Sequence, residues 1–305
     1  MSQINGIVNI KKPPGMTSFR VVSSVRKVLS CRKAGHTGTL DPSAIGVLPV
    51  CLGRATKIMP YISDETKEYI ADITLGIKTN TLDTDGEILE ENDNWADIET
   101  EVINNVLNMF LGDIDQIPPM FSAIHHNGRR LYELARKGKE VERQPRKVEI
   151  KEIELLGIEL PVIKIRILCS KGTYIRTLAD DIGKQLGVGA CLSSLTRSKA
   201  GKFCIENSVS LEELEEKQEE CIMPVDYPLD YPKFSVVEDK LKLAQNGAAL
   251  EPGDISNPSD EEIINLDHDS KVLLYYQNLF ISINKIDKSE DTVLIKPLRV
   301  FNVKI

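Results

Sequence analysis

The sequence predicts an α+β protein with a larger N-terminal domain and a small β-rich C-terminal domain. Three observations support this prediction. The chain has 305 residues, enough for about two domains. Apolar residues at helical spacing alternate with period-two runs through the first 220 residues. The stretch MPVDYPLDYPKF at 223–234, which contains three prolines, then separates this part from short β-type runs.

The first elements are a helix and a loop-rich stretch. A helix is predicted from Thr17 to Leu29, because its apolar residues share one face: Val21, Val22, Val25, Val28 and Leu29. Thr17 or Ser18 can cap its start, and the preceding KPPG is a turn. The following RKAGHTGTLDPSAIGVLPVCLGRATK is rich in Gly and Pro, so we expect loop and short strand there.

The middle of the chain alternates strands and helices. The pattern predicts strands at YIADITLG, VEIKEIELL and VIKIRILCS, and a polar loop with a tight Asp85-Gly86 turn. Three helices are predicted from apolar spacing: 96–111 on Ile98, Val102, Val106 and Phe110; a basic helix, GRRLYELARKG, with Leu131, Tyr132 and Ala135 inward; and LADDIGKQLG on Leu178, Ile182 and Leu186.

An acidic helix between Ser208 and Glu220 closes the first domain. We place the domain boundary in the proline-containing stretch, which gives domains 1–232 and 233–305. In the second domain, KVLLYYQNLFISINKI and TVLIKPLRVF predict a small β-rich fold or barrel.

Composition excludes several classes of protein. Hydrophobic residues make up 41% and charged residues 28%, which is typical of globular chains. No long apolar run or signal peptide is evident, so we expect a soluble, cytoplasmic protein with no membrane contact. The six cysteines show no C-x-x-C spacing, and the four histidines form no ligand motif. We therefore expect reduced cysteines and no metal.

The net charge of −8 is unevenly distributed along the chain. Residues 1–60 carry nine Lys and Arg against one acid, and residues 121–180 carry 13 against eight. Residues 61–120, between them, carry two against 15. Two basic segments permit a polyanion-binding face on an acidic protein. The alternative is solvated charge with no partner, since segments adjacent in sequence need not be adjacent in space.

Asp41 is the single acid of the first 60 residues, and it lies in GHTGTLDP among basic residues. Such surroundings predict a lowered pKa and a carboxylate that acts as nucleophile or base. The alternative is a structural role, because Asp before Pro42 also forms turns or caps helices.

Arg176 lies where a strand is predicted to give way to a helix, in KGTYIRTLADD. The helix dipole disfavours a cation there, so an anion such as Asp41 or an RNA phosphate would explain it, and solvent exposure is the alternative. Tyr69 and Tyr174 on predicted strands could stack on a nucleobase or pack in the core. His36 could contact a ligand or cap a turn, and Lys12 could bind a phosphate or an acidic group.

The chain contains no GxGxxG after a strand, no P-loop, no G-x-S-x-G and no kinase motifs. Their absence argues against nucleotide-cofactor enzymes, phosphoryl-transfer enzymes and serine hydrolases. The remaining interpretation is a reaction that a carboxylate carries out without a cofactor.

Five blocks resemble the bacterial tRNA pseudouridine-55 synthases, in that family's order over nearly all of residues 5–215. They are KKPPGMTS, AGHTGTLDPSAIGVLPVCLGRATK, KEYIADITLG, SAIHHNGRRLYELARKG and KGTYIRTLADDIGKQLGVGACLSSLTR. The resemblance implies a pseudouridine synthase domain with a mixed, mainly antiparallel sheet, followed by a PUA-like RNA-binding domain. It also implies an isomerase that moves the C1′ bond of one T-loop uridine from N1 to C5, without a cofactor.

The resemblance assigns roles residue by residue. Asp41 would be the essential aspartate, attacking C1′ or C6 or deprotonating the ribose, and Arg176 would pair with it. Tyr69 would stack under the flipped-out base, and Tyr174 and Leu195 would complete the pocket. His36 would support the RNA after the nucleotide leaves the stack, and Lys12 would order the wall of the site.

The resemblance also implies how the RNA is held. The segment 122–150, with Arg129 and Arg130, resembles the family's mobile clamp on the T arm, so binding should weaken as salt rises. We expect a monomer that needs no protein partner. Residues 241–305 carry seven basic residues against ten acids, so the sequence leaves open whether this domain contacts the acceptor stem. Where the family commonly has two basic residues, this chain has Thr196-Arg197, so one phosphate contact would be absent or replaced.

Two other functions compete with this interpretation. An RNA chaperone would use the same groove without making a product. A nucleoside hydrolase would release free uracil. Neither predicts the order of the five blocks.

Overall fold

The structure is a computed structural model that describes residues 4–62, 66–122, 124–126, 128–257, 260–289 and 292–301. Ala123 and Asn127 of the predicted clamp, residues 302–305 of the predicted second domain and the His126 side chain lie outside the described residues.

The described chain up to residue 232 contains the strands β1 to β13 and the helices α1 to α6. The strands are β1 Gly6–Lys12, β2 Ala34–His36, β3 Ile45–Leu52, β4 Lys67–Leu75, β5 Ile77–Thr79, β6 Ile88–Glu91, β7 Gly112–Gln116, β8 His125–His126, β9 Arg129–Arg130, β10 Arg146–Glu159, β11 Val162–Cys169, β12 Ala190–Ala200 and β13 Phe203–Cys204. The helices are α1 Ser18–Val28, α2 Met59–Ile62, α3 Thr100–Asn108, α4 Leu131–Ala135, α5 Ile175–Gln185 and α6 Leu211–Lys217.

Nine strands of the described residues form one sheet, in the order β1-β3-β12-β4-β11-β10-β7, with β2 on β3 and β13 on β12. Neighbouring strands are antiparallel except β3 and β12, which run parallel where Ile45 faces Thr196. The predicted mixed, mainly antiparallel sheet of an α+β domain is therefore confirmed.

Alternation along β4 shows how the sequence forms this sheet. Tyr69, Ala71, Ile73 and Leu75 are buried in the core that α3 and α5 cover. The intervening residues face the other side, as the two-residue period of a strand requires. A second apolar cluster lies between β1, β3, α1 and α6. Helices thus cover the sheet and hold the strands that carry the site.

Several predicted helices differ in length or phase. Helix α1 and its Thr17 cap are confirmed, with Val21, Val22 and Val25 buried. Helix α3 begins only at Thr100, so Ile98 precedes it, and its buried residues are Ile103, Val106 and Leu107 while Val102 is exposed.

The basic helix was predicted too long. It shortens to α4, which buries Leu131 and Leu134, because the preceding residues form the β8–β9 hairpin. The acidic helix is likewise confined to α6, which Ser210 and Glu213 cap reciprocally.

From residue 233 onward the described strands are β14 Lys233–Val236, β15 Ile255–Asn257, β16 Lys271–Tyr276, β17 Leu279–Asp287 and β18 Leu294–Val300, with helices α7 Leu241–Asn246 and α8 Asp260–Asn265. These strands form a separate sheet in the order β15-β14-β16-β17-β18. The predicted β-rich C-terminal part is confirmed. An apolar cluster that includes Ile7, Val47, Leu273, Phe280 and Phe301 packs this sheet against the first.

Candidate active site

Asp41 lies in the loop between β2 and β3, and main-chain contacts fix this loop on both sides of it. The buried Ser18 hydroxyl accepts a hydrogen bond from the Leu40 N–H at 2.9 Å and donates one to the Leu40 carbonyl at 3.0 Å. The Lys12 ammonium donates to the carbonyls of Pro42 at 2.9 Å and Ala44 at 2.7 Å. The position of Asp41 is therefore set by residues from β1 and α1.

Lys12 is fully buried, although most lysines are exposed. Its third hydrogen bond, of 2.9 Å, goes to the Pro13 carbonyl, so all three N–H donors of the ammonium have carbonyl partners. Burial lowers the pKa of Lys12 to about 8, with Asp41 raising it and Arg197 lowering it further. Lys12 thus ties the Asp41 loop to the end of β1.

Arg197 of β12 holds the other part of the same loop. Its guanidinium donates to the carbonyls of Val47 at 2.7 Å and Gly38 at 3.1 Å, with a longer contact of 3.5 Å to Thr39. Gly46 lets β3 approach this strand, because a Cβ there would collide with the Arg197 backbone. The sequence presented Arg197 only as the remaining half of a basic pair for phosphates, but it is 1% exposed and binds protein instead.

Arg176 reaches Asp41 from the second residue of α5. Its Nε lies 2.9 Å from Asp41 Oδ2, and its Nη1 lies 3.4 Å from Asp83 Oδ2. The same guanidinium donates to the carbonyls of Thr81 at 3.1 Å and Phe121 at 2.9 Å. These acceptors explain a cation at a helix start, where the dipole is unfavourable.

Exposure separates the two members of the ion pair. The Arg176 side chain is 6% exposed, whereas that of Asp41 is 37% exposed. A ligand can therefore touch the carboxylate while the arginine stays inside the protein.

The pKa of Asp41 moves opposite to the sequence expectation. Burial raises the pKa of the carboxyl above its usual value, Arg176 and Lys12 oppose this, and Asp83 adds to it. The predicted lowering was wrong because it considered the surrounding cations but neither the loss of water nor a second carboxylate. The carboxylate is thus less stable in its charged form than a solvated aspartate.

The predicted pocket residues lie on the strands and the helix around this loop. Tyr69 is buried on β4 opposite Arg197 of β12, and burial raises the pKa of its phenol. Leu195 is half-buried on β12 opposite Ala71. Tyr174 was expected on a strand, but it is the N-cap residue of α5, half-buried, with a pKa raised by burial. The strand–helix junction falls earlier than predicted because a turn follows β11 directly.

His36 ends β2 and is half-buried. Burial lowers its pKa and the nearby Arg197 lowers it further, so its imidazole is neutral at pH 7. Its Nδ1 has no hydrogen-bond partner among the described residues. This nitrogen is also buried, so a ligand could reach it only if the residues around it moved.

Arg129 and Arg130 are exposed on the β8–β9 hairpin. Neither contacts Asp41 within the part of the chain that the structure describes. The guanidiniums of Arg130 and Arg136 lie 6.0 Å and 5.5 Å from the centre of the Tyr132 ring. The structure therefore separates an exposed basic segment from the Asp41 cluster.

Sequence patterns did not single out Asp83 or Gln116, and they presented Arg197 as a phosphate contact rather than as a support of the Asp41 loop. Asp83 is one of several acids in a polar loop, and nothing local distinguishes it. Gln116 contacts the backbone of Tyr174 from a strand 58 positions away. These residues can be found only once the strand order is known.

Comparison with known proteins identifies the family. Residues 26–175 match the TruB family pseudouridylate synthase N-terminal domain, and residues 176–230 match the tRNA pseudouridylate synthase B C-terminal domain. A tRNA pseudouridine synthase B of Syntrophomonas wolfei is 45% identical over 98% of this chain and 99% of its own. The protein of that name in Clostridium tetani is 49% identical over 81% of this chain and 86% of its own.

The chain belongs to the TruB family of pseudouridylate synthases. Like its family, it is an isomerase. Among solved structures, an H/ACA RNP bound to a substrate RNA containing 2′-deoxyuridine matches with a TM-score of 0.72 and 26% identity, covering 97% of this chain and 84% of that one. A Cbf5-Nop10-Gar1 complex matches with the same TM-score and 27% identity, over 97% and 84% of the two chains.

The two TruB regions do not correspond to separate folding units in this chain. Their border, between residues 175 and 176, falls inside α5. The second region contributes β12, which pairs with β4 and β3 of the first. Arg176 and Asp41 therefore come from different matched regions, which are joined by one sheet.

Among the described residues, no three His, Cys, Asp or Glu side chains are grouped so that they could hold a metal ion. None of the described helices has the length and apolar character that a membrane span needs.

Proposed function

We propose that this TruB-family protein isomerises uridine 55 in the T loop of tRNA to pseudouridine. The N1–C1′ bond breaks, the C5–C1′ bond forms, C5 gives up its proton and N1 gains one. The tRNA substrate is supported by the names of the relatives, and the T loop by the five sequence blocks.

The Asp41–Arg176 pair is the observation that carries the proposal. A half-exposed carboxylate is held at 2.9 Å by a buried arginine, in a loop fixed by two further buried cations. The contact with Arg176 restricts rotation of the carboxylate, and enzymes hold reacting groups in place in this way. Attack at C1′, attack at C6 and deprotonation of the ribose all use the ionised form of Asp41, and they remain alternatives.

The flipped-out base would occupy the space between Tyr69, Tyr174 and Leu195. Unstacking a base costs a few kcal/mol, and stacking on Tyr69 would offset part of this cost. His36, which is half-buried at the end of β2, would support the RNA after the nucleotide leaves the stack. Lys12 would act through the loop that it fixes.

The segment 122–150 would clamp the T arm through Arg129 and Arg130, which are exposed as phosphate contacts must be. Residues 233–305 would form the PUA-like domain, after a catalytic domain of residues 1–232, with a contact to the acceptor stem left open. We further propose a cytoplasmic monomer that uses no metal or cofactor.

The test is incubation of the purified protein with an unmodified tRNA transcript, without added metal or cofactor. Carbodiimide treatment and primer extension then map pseudouridine. We expect one new stop in the T loop, reporting pseudouridine at position 55, that is absent with Asp41→Asn and present with Asp85→Asn, an exposed control in the neighbouring loop.

The other outcomes identify the competing functions. Tight tRNA binding without a stop indicates an RNA chaperone, and free uracil indicates a hydrolase. Stops at other sites keep the chemistry and overturn the substrate.

A further inference from the structure

Gln116 is a buried amide that binds the start of α5. It is the last residue of β7 and is 1% exposed. Its Oε1 accepts the Tyr174 N–H at 2.9 Å, and its Nε2 donates to the Tyr174 carbonyl at 3.3 Å. One side chain thus grips both main-chain groups of the residue at the N-cap of the helix.

Helix α5 needs this support because its own sequence provides none. Tyr174 makes no side-chain capping bond, and the first turn contains no acidic residue. Capping and acidic residues usually stabilise this end of a helix, while Arg176 in the same turn is unfavourable there. The Tyr174 carbonyl also accepts the helical Leu178 N–H at 3.0 Å, so without Gln116 the Tyr174 N–H is the group that loses its bond.

A second contact from the same segment reaches Arg176 itself. Gln116 holds the backbone of Tyr174, and the Phe121 carbonyl accepts the Arg176 Nη2 at 2.9 Å. The segment from Gln116 to Phe121 therefore contacts both the backbone two residues before Arg176 and the guanidinium at the end of its side chain. The proposed clamp begins at the next residue.

We propose that Gln116 is a positioning residue for the Arg176–Asp41 pair, acting through the backbone of Tyr174. This inference rests on the proposed function, because its readout is pseudouridine formation.

The chain allows a matched set of variants. Gln116→Met keeps the length of the side chain and removes both hydrogen bonds. Gln116→Glu keeps an acceptor for the Tyr174 N–H. Gln185→Met makes the same chemical change at an exposed position at the other end of α5.

The measurement is the single-turnover rate of pseudouridine formation between pH 5 and 8, with the dissociation constant for tRNA and the melting temperature of each variant. We expect Gln116→Met to lower the rate at saturating enzyme by about tenfold to 100-fold, because small misplacements of reacting groups have effects of this size. The dissociation constant should stay within about threefold. Gln116→Glu should recover part of the rate, and Gln185→Met should match wild type.

The pH profile separates positioning from general destabilisation. Asp41 faces Arg176, Asp83, Lys12, Tyr69 and Tyr174, and of these contacts Gln116→Met loosens the one with Arg176. Because Arg176 opposes the effect of burial on the Asp41 pKa, the acid limb of the profile should move to higher pH.

Three results would overturn the inference. One is a Gln116→Met rate within twofold of wild type. Another is a lower rate and melting temperature with an unmoved acid limb, which indicates a structural role alone. The third is a wild-type protein no more active than Asp41→Asn, which would remove the proposed function as well and is recognised by that comparison.

Discussion

The basic residues of this protein fall into two regions with opposite surroundings. Lys12, Arg176 and Arg197 are all buried around the Asp41 loop, whereas Arg129 and Arg130 are exposed on a hairpin. The buried cations donate their N–H groups to carbonyls and carboxylates of the protein. In the proposed function, the exposed ones would donate theirs to a ligand.

Basic residues would therefore have two different roles here. Burying a cation is costly unless its partners are well placed, so each buried cation fixes the groups around it. An exposed cation fixes nothing but can neutralise a phosphate. Substitutions in the buried region should change turnover, and substitutions on the hairpin should change affinity and its salt dependence.

The largest effect on turnover should come from Arg176. Arg176→Ala leaves Asp41 and Asp83 without their shared cation, so we expect turnover to fall by about 100-fold or more. The affinity for tRNA should stay within about tenfold, since the side chain is buried. Turnover is measured with saturating tRNA and affinity by filter binding.

Arg166 provides the matched control. It also binds several carboxylates, those of Glu68, Glu152 and Glu154, but on the other face of the sheet. Arg166→Ala should keep turnover within about twofold. An equal loss in both variants would contradict a specific role of Arg176.

Arg197 should have the next largest effect. Arg197→Met leaves the buried carbonyl of Val47 unpaired, which costs about 1–3 kcal/mol, and also removes the bond to the half-buried carbonyl of Gly38. We expect a lower melting temperature and turnover reduced by about tenfold, because the Asp41 loop loses one anchor. Lys199→Met, an exposed change on the same strand, should do neither. If Arg197→Met lowered affinity and left turnover unchanged, Arg197 would belong with the phosphate contacts.

Lys12 should give a smaller effect that depends on pH. Its pKa of about 8 means that it becomes neutral as pH rises past this value, and a neutral amine has two N–H donors for three carbonyls. The single-turnover rate of wild type should therefore fall above pH 8. Lys12→Met should be slower below pH 8 and lack this decline.

The free energy of unfolding of wild type should change with pH in the opposite direction to its rate. The folded pKa of Lys12 lies below its unfolded value of 10.5, so the unfolded chain binds more protons between these pH values. The free energy of unfolding of wild type should rise with pH in this window relative to Lys12→Met. A rate and a stability that decline together would contradict the assignment.

These two regions also show what a sequence can reveal. The apolar spacing around Val21 and the alternation from Tyr69 predicted α1 and β4, because both patterns are local. The position of Arg176 at a helix start, together with the family blocks, predicted an anion beside it, and the structure places Asp41 there. The catalytic roles of both residues stay predictions.

The buried framework could not be predicted because it depends on strand order. Arg197 meets Gly38 only through the parallel pairing of β3 and β12, across 159 positions. Gln116 meets Tyr174 only because the first turn of α5 lies beside the end of β7. The raised pKa of Asp41 likewise depends first on its burial in the folded chain and then on Asp83, which is held at the site by Arg176.

The smallest effect on turnover should come from the exposed hairpin, where the comparison is sharpest. Arg129→Ala with Arg130→Ala should leave turnover at saturating tRNA within about twofold and weaken binding at low salt by about tenfold. The slope of log affinity against log salt should become shallower by about one for each lost phosphate contact. Arg26→Ala with Lys27→Ala removes the same charge from an exposed face of α1. Direct phosphate contacts release counterions, so removing them should change the slope only in the hairpin variant. Equal slopes for the two double variants would mean that net charge, rather than the hairpin, sets the salt dependence.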